Sequence, residues 1–165
     1  MITEIDFPTE TALYGRELGA FYRDSFRVRV RKEALGARQV YHSIFAHLPI
    51  SVQLALKARN SVVKLVGFSA SNTSMSIGLE EIQAGQNAGF LTIEAASDVE
   101  VVCTAYEKNM DMWLSVLKLS DQEFAISTLV NMKTGAGKVY MAFIKPFHKL
   151  VAQHSINQAL KAGRI

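Results

Sequence analysis

Two side chains in this sequence of 165 residues could share a proton. Asp24 sits in "FYRDSFRVRVR", a carboxylate on the side of the run that otherwise carries Tyr22, Phe26, Val28 and Val30. His148 sits in "KPFHKLV" and heads an apolar stripe continued by Ala152 and Ile156. A carboxylate withdrawn from water needs a partner or a shifted pKa, and an imidazole titrates near neutrality. Paired in an apolar cavity, His148 and Asp24 could act as acid and base on a bound ligand. Both also have structural readings: Asp24 as a hydrogen-bond acceptor within a sheet, His148 as a clamp where a helix enters it.

Other chemistries have less behind them. The four histidines His42, His47, His148 and His154 are five and six apart in pairs and fall on different helix faces, so no metal site is expected. There is no G-x-x-x-x-G-K-[ST] loop, no G-x-G-x-x-G and no G-x-S-x-G, and no cofactor is implied. Cys103 could be set beside Asp24 and His148 as a nucleophile, but no local motif supports it, and it reads as a small core residue. A single cysteine excludes an internal disulfide and fits a reducing compartment.

With 49% hydrophobic and 20% charged residues, the chain has the composition of one folded domain, 1–165. The net charge of +3 is too small to argue for nucleic acid. No apolar run approaches the roughly 20 residues of a membrane span. "MITEIDFPTE" lacks the charged-then-apolar order of a secretory signal, so a cytoplasmic location is expected.

The elements that must position Asp24 and His148 follow from periodicity. Residues 21–31 alternate strictly, which predicts a strand with Phe26 and Val28 inside and Arg27 and Arg29 outside. Residues 33–67 predict two helices. Val40, Tyr41, Ile44, Phe45 and Leu48 mark the first; Val52, Leu56, Val63 and Val66 mark the second, which has Pro49 as an early residue and ends at Gly67. Arg59 and Asn60 interrupt that second stripe. Residues 69–78 read as a loop. A meander follows: "FLTIEAA", "EVVCTAY", "DMWLSVLKL", "EFAISTLVNM" and "KVYMAFI", separated by short turns that demand antiparallel pairing. Pro146 should then open a helix running to about Lys161, directly after a strand containing Tyr140 and Phe143. The expected class is α+β: a curved antiparallel sheet wrapped around a long C-terminal helix, with two short helices after the first strand, the helix-grip arrangement.

The C-terminal stretch "TLVNMKTGAGKVYMAFIKPFHKLVAQHSI" resembles the signature of the bacterial family called domain of unknown function 2867. A T-x-V strand there leads to G-x-x-Y-x-x-x-[IV]-x-P-F-H-[RK]-L-[IV]. Thr128, Val130, Gly137, Tyr140, Ile144, Pro146, Phe147, His148, Lys149 and Leu150 match. Asp24, Phe26, Arg27 and Val28, and then Arg59, Asn60, Val63 and Gly67, match two further family segments. The resemblance departs at "TAYEKNMDM", where Asp111 is kept but Thr104 and Asn109 replace the family's glycine and histidine. It implies a fold similar to polyketide-cyclase and START-like proteins, which bind apolar small molecules and sometimes catalyse their reactions. Some relatives are joined to an oxidoreductase domain.

Three function classes stand. The first is a binding module for a lipid-, aromatic- or polyketide-like molecule, with Tyr106, Trp113, Tyr140 and Phe143 lining an apolar pocket and His148, Asp24 and Arg59 supplying polar contacts. The second is a cyclase- or isomerase-type enzyme using His148 and Asp24. The third is a structural partner, with its own side chains filling the cavity and a second copy or a separate oxidoreductase as its protein partner. In each, His148 should meet a polar group of another element: Asp24, Arg59, Asn60 or Asp111.

Overall fold

The computed structural model describes residues 1–65 and 76–165; over 58–65 only the helical backbone is described. Among the described residues seven strands form one antiparallel sheet in the order β1-β2-β7-β6-β5-β4-β3. They are β1 (Ile2–Glu4), β2 (Tyr22–Arg29), β3 (Asn87–Ala88), β4 (Leu91–Ala96), β5 (Glu100–Tyr106), β6 (Met110–Lys118) and β7 (Glu123–Met132). The α-helices among the described residues are α1 (Ala37–Phe45), α2 (Ile50–Leu65) and α3 (Gly135–Lys161). Thus β4 to β7 form the predicted meander, and two helices follow the arginine strand. Gly67 and most of the loop predicted over 69–78 lie outside the described residues.

The alternation in β2 does what its period of two requires. Phe26 and Val28 are fully buried, while Arg27 and Arg29 are exposed. The pairing Asp24↔Thr128 and Phe26↔Ile126 carries the same alternation into β7, and Thr128↔Leu114 and Ile126↔Val116 carry it into β6. Phe26, Val28, Ile126, Leu114, Val116, Cys103 and Ile93 thereby share one face. They pack there against Val40, Tyr41 and Ile44 of α1 and Ile156, Ala159 and Leu160 of α3.

The opposite face is also covered, by a segment that periodicity does not reveal. Residues 7–20 run across it without regular structure beyond one short turn, Arg16–Gly19. Leu13 is buried there with Val102, Trp113 and Leu129, with Phe7 and Ala20 alongside. Glu100 fastens this segment: its Oε2 accepts from the Ala12 backbone N–H at 3.0 Å, and its Oε1 accepts from Ser115 Oγ at 2.6 Å.

The predicted fifth meander strand, "KVYMAFI", is helix. Gly135 to Lys161 is a single helix of 27 residues, with Pro146 inside it rather than at its start. Thr134 is its N-cap, accepting from the Gly137 N–H at 3.1 Å. Two physical reasons explain the correction. A short apolar run fits both periods: Val139, Met141 and Phe143 alternate, but Met141, Ile144 and His148 also lie on one helical face. And β7 is already paired on both sides, with β6 and with β2, so no edge remains beside it for another strand. Pro146 removes one helical N–H, the donor for the Ala142 carbonyl. Ala142 and Pro146 are both exposed, so water can meet that carbonyl.

Candidate functional site

Between the sheet and the helices lies a cavity of about 220 Å³. The sheet side of its wall comes from Met110, Met112 and Leu114 of β6 and Ile126, Thr128 and Val130 of β7. Val52, Ala55 and Leu56 of α2 and Phe45 and Leu48 at the end of α1 close one side. The long helix supplies Tyr140, Met141, Ile144, Phe147, His148, Val151, Ala152, Ser155 and Ile156. These recur three and four apart, which is why one face of α3 can line a cavity along several turns. Almost every wall atom is apolar carbon or sulfur. Among the described residues, polar groups enter only through Thr128, Tyr140, His148 and Ser155, and the Ser155 hydroxyl donates to the Val151 carbonyl at 2.8 Å.

At this wall the predicted pair forms. His148 Nδ1 lies 3.2 Å from Asp24 Oδ2. Tyr22, two residues along β2 on the same face, donates its hydroxyl to the same Oδ2, and that hydroxyl is 3.4 Å from His148 Nδ1. The rings of Tyr22 and His148 meet edge to face, with centroids 5.3 Å apart. The Asp24 side chain is fully buried, and its Oδ1 has no hydrogen-bond partner among the described residues. Burial, and secondarily the hydrogen bond to Asp24, push the Tyr22 hydroxyl well above its ordinary pKa, so it remains a neutral donor. With Nδ1 held by Asp24, Nε2 is the ring nitrogen left to address a ligand.

Not every predicted residue reaches this place. Tyr140 lines the cavity, whereas Phe143 points outward and is 74% exposed. Tyr106 and Trp113 lie on the opposite face of the sheet, because Tyr106↔Asp111 and Trp113↔Leu129 carry the other parity. Their rings touch each other at 6.0 Å, Tyr106 is 66% exposed, and the Arg16 guanidinium lies 6.0 Å from the Trp113 ring centre. Tyr106, Trp113 and Phe143 therefore drop out of the pocket wall. The side chains of Arg59 and Asn60 lie outside the described residues. Asp111 also has the outer parity, and its carboxylate pairs with Lys133 at 2.6 Å. Cys103 belongs to β5, separated from β2 by β7 and β6, so it forms no nucleophilic set with Asp24 and His148. Burial raises its thiol to about 11.

The two departures from the family pattern have structural roles. Asn109 is buried at the β5–β6 turn, where its Oδ1 accepts from the Thr134 hydroxyl at 3.2 Å. It thereby joins that turn to the N-cap of α3. Thr104 is buried on the outer face, opposite Trp113. Tyr22 and Thr128 are site residues that the sequence reading passed over. Their signal was the register of β2, since Tyr22 shares Asp24's parity and Thr128 stands opposite Asp24. The rings of His42 and His47, expected on different faces, meet edge to face at 5.3 Å because α1 ends at Phe45 and the chain turns before His47. Among the described residues no group of three or more His, Cys, Asp or Glu side chains could hold a metal ion.

The profile of the family described as "Protein of unknown function (DUF2867)" matches residues 18–155. No curated protein and no solved structure matches the chain.

Proposed function

The chain belongs to the DUF2867 family of proteins of unknown function, and we propose that it binds an apolar small molecule between sheet and helices, with one polar group of that molecule at His148. The observation that carries this reading is the cavity of about 220 Å³, walled by apolar side chains and bearing one imidazole backed by a buried carboxylate. A space of that size is somewhat below the roughly 300–1,000 Å³ of drug-sized sites, so it suits a small aromatic, short acyl or compact polyketide-like molecule. Its presence weighs against the reading in which the protein fills its own cavity. In this reading the architecture is a helix-grip, with the sheet as palm and α3 as the gripped helix. A ligand hydroxyl would donate to Nε2 while Nδ1–H donates to Asp24, a chain of hydrogen bonds in which each donor has one acceptor.

A second reading, acid–base catalysis of the isomerase or cyclase type, is favoured by the same Tyr22–Asp24–His148 chain. Nε2 would take a proton from the ligand and Asp24 would stabilise the resulting imidazolium, with Tyr22 holding the carboxylate in place. Native mass spectrometry of freshly purified protein, followed by titration with an apolar fluorophore, tests the binding reading. Ala152→Leu puts bulk into the cavity at a position compatible with helix, and should lower fluorophore affinity by about tenfold while leaving the melting temperature unchanged or raised. Unaltered affinity in that variant, with no co-purified molecule, would refute the pocket as a binding site. His148→Gln separates the two readings once a ligand is known: turnover lost at unchanged affinity marks catalysis, and affinity lost marks binding.

A further inference from the structure

A second cavity, of about 360 Å³, opens at the sheet edge where the first strand leaves the second. The strand β1 ends at Glu4, and the Ile5 N–H still reaches the Ser25 carbonyl at 3.0 Å. The chain then crosses the outer face as residues 7–20, and its short turn places Glu17 in one wall with Arg23 of β2. Glu4, Asp6 and Phe7 belong to the same wall.

Glu17 and Asp24 are the buried acids among the described residues. Asp24 has its partners in Tyr22 and His148. Glu17 is 6% exposed, and among the described residues no hydrogen bond or ion pair meets its carboxylate. The adjacent Arg16 turns instead to Glu94, at 3.0 Å. Glu4 is held by Lys149. Asp6 and Glu17 are then left with one guanidinium in their wall, that of Arg23, and among the described residues it forms no ion pair with either. A carboxylate withdrawn from water costs far more unpaired than paired, so its position points to a counter-charge that the chain itself does not supply.

We propose that this cavity binds a small organic cation, with the Glu17 carboxylate receiving an ammonium or guanidinium group of the ligand. Size, geometry and chemistry select that class. About 360 Å³ falls in the range of small-molecule sites and exceeds what one ion fills. Among the described residues no group of three His, Cys, Asp or Glu side chains could hold a metal ion, so Glu17 is not placed for chelation. A charged N–H donor makes the strong hydrogen bonds that this carboxylate lacks, and Phe7 adds an aromatic neighbour for a cation. Arg23 extends the site to cations that also carry a carboxylate. The proposal does not depend on whether the first cavity holds a ligand.

The test is isothermal titration calorimetry at matched ionic strength with putrescine, agmatine and arginine, and with butanediol as the neutral control. Expected is saturable binding of at least one of the cations and none of the diol. Glu17→Gln should weaken that binding by about tenfold or more. It should leave the melting temperature of the free protein unchanged or raised, because it removes an unpaired charge. Asp6→Asn should cost a smaller factor, and Ala152→Leu, which fills the first cavity, should cost nothing. Arginine binding more tightly than agmatine, with the difference erased in Arg23→Gln, would support the site and assign Arg23 to the ligand carboxylate; agmatine binding more tightly would support a site for plain amines. No binding of any cation, or undiminished binding in Glu17→Gln, overturns the proposal. So does binding lost in Ala152→Leu, which would put the amine in the first cavity, and so does binding of calcium or magnesium in place of the amines.

Discussion

His148 Nδ1 and Asp24 Oδ2 lie 3.2 Å apart across 124 residues of sequence, joining the long helix to the second strand. The contact makes a prediction about stability independent of any ligand. Asp24→Ala leaves the Tyr22 hydroxyl and the His148 ring without their shared acceptor, and should cost about 1–3 kcal/mol in denaturant unfolding. Asp24→Asn keeps an acceptor oxygen in place and should cost less. Equal losses in the two variants would mean that the negative charge of the carboxylate, which Asn lacks although it keeps the shape and an acceptor oxygen, is what matters.

Gly137 is required by a close approach rather than by a left-handed backbone. A Cβ there would stand 3.1 Å from the Asn109 carbonyl oxygen and 3.1 Å from Met132 Sδ. That carbonyl already accepts from the Lys133 N–H at 2.9 Å, so it cannot easily withdraw. Gly137→Ala gains up to about 1 kcal/mol of helix propensity, against an overpacking cost of roughly 1–3 kcal/mol. The expected outcome is a net loss, read as a lower denaturant midpoint at unchanged slope. A raised midpoint would show that the β5–β6 turn yields.

His42 should make stability depend on pH. Its pKa is lowered from the ordinary 6.5, first by burial and then by the neighbouring His47. Below 6.5 the unfolded chain therefore binds a proton that the folded chain resists, so stability falls as the pH drops through this window. His42→Gln should flatten melting temperature against pH between about 7 and 5. His47→Gln should flatten it only in part, because burial is the larger cause. A profile unchanged in His42→Gln would assign the slope to other groups.

Period and spacing were enough for much of this protein. The strict alternation of residues 22–29 fixed which side chains of β2 are inside, and with them the inward direction of Asp24. The four meander strands were legible because short polar turns between apolar runs leave no other pairing. His148's inward direction was legible too, since its stripe with Ala152 and Ile156 holds whether the helix begins at Pro146 or, as it does, at Gly135.

What only the tertiary structure decided concerns competition for shared space. "KVYMAFI" satisfies strand and helix periods alike, and the choice fell to helix because β2, more than a hundred residues earlier, occupies the edge of β7 where a further strand would pair. Which face of the sheet Tyr106 and Trp113 use depends on register with β7. The covering of that face by residues 7–20 rests on Leu13 and on the Glu100 hydrogen bonds, which no local period announces. Local patterns report what a residue does to its own segment; edges, faces and cavities belong to pairs of segments, and their partners are set by packing across the whole chain.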